Sequence, residues 1–251
     1  MRRKLLTMAG LSVCLLLSSN AKAVCDRFIH TVADGRVKEL SLSASEDVGL
    51  FFNGVPGHSY SVEMSDQESK INSKFLGVAS ELCPTTNAAG VNVTGGADPV
   101  ILATRGFRGS FTATVGGTPF YTLHIVNGAT SADITYSVSD TTQYNPRWST
   151  FSGFTTQWGF QNTTNFNITG TLKVFTTAGG IPISNTTFDI LSGRVVFKTS
   201  TGLAIAPSQS GNAVFTHNGP PGGIQADAYF VSSDVKSIVP AKFEPVREAS
   251  H

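Results

Sequence analysis

The chain has 251 residues, with 18 Lys+Arg against 17 Asp+Glu, a formal net charge of +1 and charged side chains at only 14% of positions. So little charge, so evenly balanced, excludes a protein built to hold nucleic acid or an anionic membrane by electrostatics. Hydrophobic residues make up 40%, enough for globular cores, and no later segment reaches the roughly 20 apolar residues of a membrane helix.

The first residues read "MRRKLLTMAGLSVCLLLSSNAKA". Arg2, Arg3 and Lys4 precede an apolar run from Leu5 to Leu17, and a small-x-small site follows at Ala21 and Ala23. This pattern predicts a secretory signal over residues 1–23, with cleavage before Val24. Cys25 follows Val24 rather than the small residue that lipid attachment needs, which argues against a lipoprotein. Removing Arg2, Arg3, Lys4 and Lys22 leaves 14 basic against 17 acidic residues, a net charge of −3. The expected product is exported, to the periplasm or beyond, with no transmembrane segment and no nucleic-acid partner.

Cys25 and Cys83 are the cysteines beyond the signal. In an oxidising compartment they predict one disulfide tying the N-terminal strand to the first domain; the alternative is two separate buried thiols. Closing a loop of that length stabilises by about 4 kcal/mol in the chain-entropy account. Two cysteines without a nearby histidine pair are too few for zinc.

The next 120 residues alternate apolar and polar residues in short runs broken by turn residues, the signature of strands. "GLFFNGVPGHSYSVEMS" reads as strand, turn and strand, with Tyr60, Val62 and Met64 on one face. "FRGSFTATVGGTPFYTLHIVN" reads as a second pair around Gly116 and Gly117, with Tyr121, Leu123 and Ile125 on one face, and "DITYSVS" closes the set. The strands "GHSYSVE" and "FYTLHI" resemble those of the bacterial pre-peptidase C-terminal domain. That resemblance implies a jelly-roll-like sandwich over residues 24–141, appended to an exported protein.

"TTQYNPRWST" at Thr141 to Thr150 lacks alternation and contains Pro146, which places a domain boundary there. Beyond it, "NFNITGTLKVFTT" sets Phe166, Ile168, Gly170, Leu172 and Val174 at spacing two, and "GRVVFKTSTGLAIAP" and "GNAVFTHNG" continue the pattern. About seven such strands predict an immunoglobulin-like sandwich over residues 142–251, without the cysteine and tryptophan spacing of antibody domains. The run is also similar to small β-modules of bacterial exported proteins that carry an H-x-G-P-P-G loop followed by "ADAY".

That loop, "HNGPPGG", joins a strand bearing Ala213, Phe215 and His217 to one bearing Asp227. Two prolines and three glycines predict a rigid hairpin corner. His217 and Asp227 lack a nucleophile in a G-x-S-x-G elbow, and the loop lacks a phosphate cradle's Lys-Ser/Thr, so no catalytic residue is expected. The alternative is a ligand-contacting loop through His217, Asn218 and Asp227.

The aromatic segment containing Tyr144, Trp148, Phe151, Phe154, Trp158 and Phe160 invites two readings. Trp158 and Phe160 share a strand face and suit a core, whereas Tyr144 and Trp148 could lead a stacking platform for carbohydrate or a surface protein. Glu46, Asp47, Glu63, Asp66 and Asp98 form no D-x-D-x-D loop, so no metal or other cofactor is expected. "SDVK" at Ser233 to Lys236 has the bare Ser-x-x-Lys spacing of some acyl enzymes, but on a strand and without companion motifs. The sequence therefore predicts an all-β, two-sandwich, non-enzymatic exported binding protein, with an assembly or adhesion subunit that pairs strand edges as the alternative.

Overall fold

A computed structural model describes residues 25–66, 74–79, 92–93, 107–113, 120–234 and 236–245. Cys83, Asp98 and the predicted signal at residues 1–23 lie outside the described residues. The protein is all-β, with four sheets and a single 3₁₀ turn at Phe151–Gly153 among the described residues.

Two sheets come from the first half. One has the order β1 (Arg27–His30), β3 (Asp47–Asn53), β8 (Phe120–Val126), β5 (Lys74–Ala79). The other has the order β2 (Lys38–Leu42), β9 (Ala132–Asp140), β4 (Ser59–Asp66), β7 (Phe107–Thr112), β6 (Asn92–Val93). Their inward residues interleave in one core that includes Leu50, Phe52, Leu123 and Ile125 from the first sheet with Tyr60, Val62, Phe111 and Val138 from the second. The period-two faces expected for β4 and β8 are the faces that pack.

The remaining two sheets come from the second half. Sheet C has the order β13 (Ser184–Ile190), β12 (Ile168–Thr176), β15 (Ser210–His217), β10 (Gln143–Ser149), β18 (Glu244–Pro245). Sheet D has the order β14 (Val195–Thr199), β11 (Phe154–Asn162), β16 (Ile224–Ser232), β17 (Ile238–Pro240). Trp158 and Phe160 from β11 and Leu172, Val174 and Phe215 from sheet C fill the space between them. The Phe160 and Phe215 rings stack with centroids 4.2 Å apart. Gly170 in β12 faces the Phe215 ring, and a methyl group there would overlap its edge. Gly170→Ala is expected to lower stability by about 1–3 kcal/mol, the range for overpacking, in urea unfolding; an unchanged midpoint would contradict this packing.

Consecutive strands often do not pair. β7 and β8 lie in different sheets, and the predicted turn at Gly116 and Gly117 lies outside the described residues. β3 and β4, and β15 and β16, also lie in different sheets, so the turns between them are arches across the sandwich. The HNGPPGG stretch is therefore an inter-sheet corner rather than the tip of a hairpin.

The segment around Pro146 also departs from expectation, because it is strand β10. Its pairing with β15 slips between Asn145 and Trp148. Proline has no amide hydrogen for a ladder and is tolerated at such a bulge. Asn145 is inward opposite Ala213, and after the extra residue Trp148 is inward opposite Gly211.

Candidate binding surface

The five predicted ligand residues do not converge. Trp148 is fully buried, and its indole N–H donates to the carbonyl oxygens of Phe175 (2.8 Å) and Asn212 (3.0 Å). An enclosed indole has no face to stack on a ligand, which corrects its assignment to a platform. Tyr144 is half-buried on the outer side of sheet C, opposite Val214 and Glu244.

His217 is also interior, at 3% exposure. Its Nδ1 accepts the Gly219 N–H at 3.1 Å, which fixes the ring as the neutral tautomer, and burial pushes its pKa down to about 4. Asn218 clamps β12, its N–H donating to the Thr169 carbonyl (3.1 Å) and its Oδ1 accepting the Thr169 N–H (2.8 Å). Further along, Gly223 N–H donates to the Pro220 carbonyl at 3.0 Å across Gly222, whose φ of +70° suits glycine. Thr163 Oγ1 donates to the Gly222 carbonyl at 3.0 Å, and Thr141 Oγ1 donates to the His217 carbonyl at 3.2 Å. The corner spends its polar groups on itself and on neighbouring segments, including the link between the two halves.

Asp227 is exposed, on the opposite side of sheet D from the core that contains its neighbour Ala228. His217 lies on the core-facing side of sheet C with Phe215, so sheet D separates the two groups of the supposed pair. Of the other acidic residues singled out, Glu46 pairs with Arg27 (2.9 Å), Glu63 pairs with Arg108 (2.8 Å) and Asp47 lies 3.4 Å from His124 Nε2. Among the described residues, no three His, Cys, Asp or Glu side chains gather where they could hold a metal. In the "SDVK" stretch, Ser233 and Asp234 turn away after β16 ends at Ser232, which corrects its placement on a strand; the Ser232 hydroxyl donates to Asp234 at 2.6 Å and holds that carboxyl below its usual range.

Asp227 belongs to a different arrangement. Strands β14, β11 and β16 align three residues each on the outer face of sheet D. The rows are Val195, Gln161 and Gln225; then Phe197, Gly159 and Asp227; then Thr199, Gln157 and Tyr229. Gly159 occupies the centre, and the Phe197 ring lies over it: a Cβ added there would stand 3.0 Å from the ring's Cε1. Phe197 is 57% exposed, so the ring offers its outer surface to solvent. With strands roughly 4.8 Å apart and facing residues about 6.8 Å apart along each, the grid covers roughly 10 by 14 Å.

Chemically, the grid joins one flat aromatic surface and a second ring at Tyr229 to three amides, two hydroxyls and one carboxylate, and it contains no cation. Phe197 was legible in the sequence as a strand residue within "GRVVFKTSTG". Its exposure was not, because that follows from the edge position of β14 and from a glycine 38 positions away. No family model matches the chain, and no curated protein matches it either.

Proposed function

We propose that this is an exported, non-enzymatic binding protein that recognises a neutral, hydroxyl-rich carbohydrate on the outer face of sheet D. The observation that carries the reading is the Phe197 ring laid over Gly159 beside Asp227. A flat apolar ring suits the C–H face of a sugar. Around it, amide groups donate and accept, and an acceptor-only carboxylate takes two hydroxyl hydrogens. The single negative charge and absent cation disfavour a polyanion.

Export rests on the basic and apolar leader, which directs the product to the periplasm or outside the cell. A disulfide from Cys25 to Cys83 belongs to the same reading, supported by the burial of Cys25 at 4% and the engagement of its sulfur. The first sandwich, with its likeness to the pre-peptidase C-terminal domain, serves as the companion module.

The test is a glycan array probed with the chain from Val24 onward and with three variants. Phe197→Ala and Asp227→Asn are each expected to weaken binding at least tenfold, the equivalent of about 1.4 kcal/mol, with the melting temperature unchanged. Tyr144→Ala, on the other sheet, should bind like the parent. Absence of glycan binding, or binding indifferent to both platform changes, would refute the reading.

A further inference from the structure

The free edge of β14 is the second feature of sheet D that calls for a partner. Ser200 N–H donates to the Thr156 carbonyl, and Asn162 N–H donates to the Arg194 carbonyl. In an antiparallel ladder these bonds fall on alternate residues, so Val196 and Lys198 direct their backbone groups to β11. Val195, Phe197 and Thr199 direct theirs away from the sheet. The Thr199 carbonyl accepts the Leu203 N–H; Val195 and Phe197 lie along the open edge, with side chains 47% and 57% exposed.

Edge strands are normally blocked by a charge or proline placed along them. In β14 the candidate blocker is Lys198, but its ammonium is turned over the Phe188 ring, 4.5 Å from the centroid. The opposite edge of sheet D, β17, has three residues and ends in Pro240. The sheet C edge at β13 directs Asn185, Thr187 and Asp189 to solvent.

We infer that β14 pairs with β14 of a second copy of this chain, antiparallel and centred on Phe197, which joins two sheets D into one. The register is self-complementary, as a two-fold interface requires. Phe197 meets the partner's Phe197, Val195 meets the partner's Thr199, Lys198 meets the partner's Val196 and Arg194 meets the partner's Ser200. No like charges face one another. The parity of the ladder makes the central Phe197 pair one that exchanges both N–H···O bonds, while each ring stays over its own Gly159 and the platforms of the two copies lie side by side on one continuous face. A five-residue strand pair buries less than the roughly 1,200 Å² of stable interfaces, so the dimer is reversible and its population rises with concentration.

This pairing goes beyond carbohydrate recognition and is tested without any glycan. Sedimentation of the exported chain over roughly 1–100 μM, the range suited to a small interface, should show monomer passing to dimer. Val195→Pro removes an N–H that points to the open edge at the first residue of the strand, a position where proline is tolerated. This variant should remain monomeric with an unchanged melting temperature, whereas Val195→Thr should dimerise like the parent. In hydrogen exchange, the Val195 and Phe197 amides should exchange at least tenfold more slowly at the high end of the range. A parent that stays monomeric throughout, or a folded Val195→Pro chain that still dimerises, would overturn the inference. Loss of glycan binding with dimerisation intact would count against the platform alone.

Discussion

Trp148→Ala should lower the unfolding free energy by about 3–5 kcal/mol, the range for deleting a fully buried large aromatic side chain, while leaving the glycan binding proposed for sheet D unchanged. The indole fills the core beneath the β10 bulge, and its N–H satisfies two backbone carbonyls. Removing it opens a cavity and leaves the Phe175 and Asn212 oxygens without that donor. Trp148→Phe separates the two effects, since it restores much of the volume but not the donor, and should cost about 1–3 kcal/mol. Both tryptophans of the chain, Trp148 and Trp158, lie in the second sandwich, so urea unfolding of either variant can be followed by Trp158 fluorescence. A loss below about 1 kcal/mol, outside the range for buried aromatic deletions, together with loss of glycan binding, would return Trp148 to the ligand.

Acid should destabilise the second sandwich through His217. Its folded pKa is about 4, below the ordinary value of 6.5, because burial disfavours the imidazolium. Between these values the unfolded chain binds a proton that the folded one refuses, so stability falls as pH is lowered. The contribution is constant above pH 6.5 and declines by about 1.4 kcal/mol per pH unit. By pH 4 the loss totals about 3 kcal/mol. Below that, the folded ring takes up the proton too and the loss levels off. His217→Asn keeps an oxygen to accept the Gly219 N–H but does not titrate. The difference between the two unfolding curves should therefore grow from pH 6.5 to pH 4, and a parallel pair would show that His217 plays no part in acid sensitivity.

The inward faces of strands were legible in the sequence. Tyr60, Val62 and Met64, Trp158 and Phe160, and Ile168, Leu172 and Val174 are all buried as their alternation implied. What alternation lacks is the identity of the sheet that a face turns toward. A strand followed by a glycine-rich turn and another strand reads the same whether the chain folds back beside itself or crosses the sandwich. The arch after His217 was for that reason expected to be a hairpin. Trp148 was misplaced for a related reason: the bulge at Pro146 and Arg147 adds one residue to the period, and the alternation that would have marked Trp148 as interior disappears. The platform at Phe197 was hidden because it depends on a cross-strand glycine, and pairing between distant segments leaves no local pattern.

The arches also govern the order in which the second half can assemble. Its central pairings join Gln143 to Phe215, Gly170 to His217 and Phe154 to Ser232, so β15 and β16 are the strands on which both sheets close. Sheets dominated by distant contacts fold on the millisecond-to-second scale or slower, because loop closure must precede the reward. During synthesis, β10 to β14 emerge before β15 and β16; among them β12 can pair with β13 and β11 with β14, while β10 waits for β15. The first sandwich, whose strands all precede Gln143, can close while the second half still awaits residues 210–232, so the two halves mature one after the other rather than together.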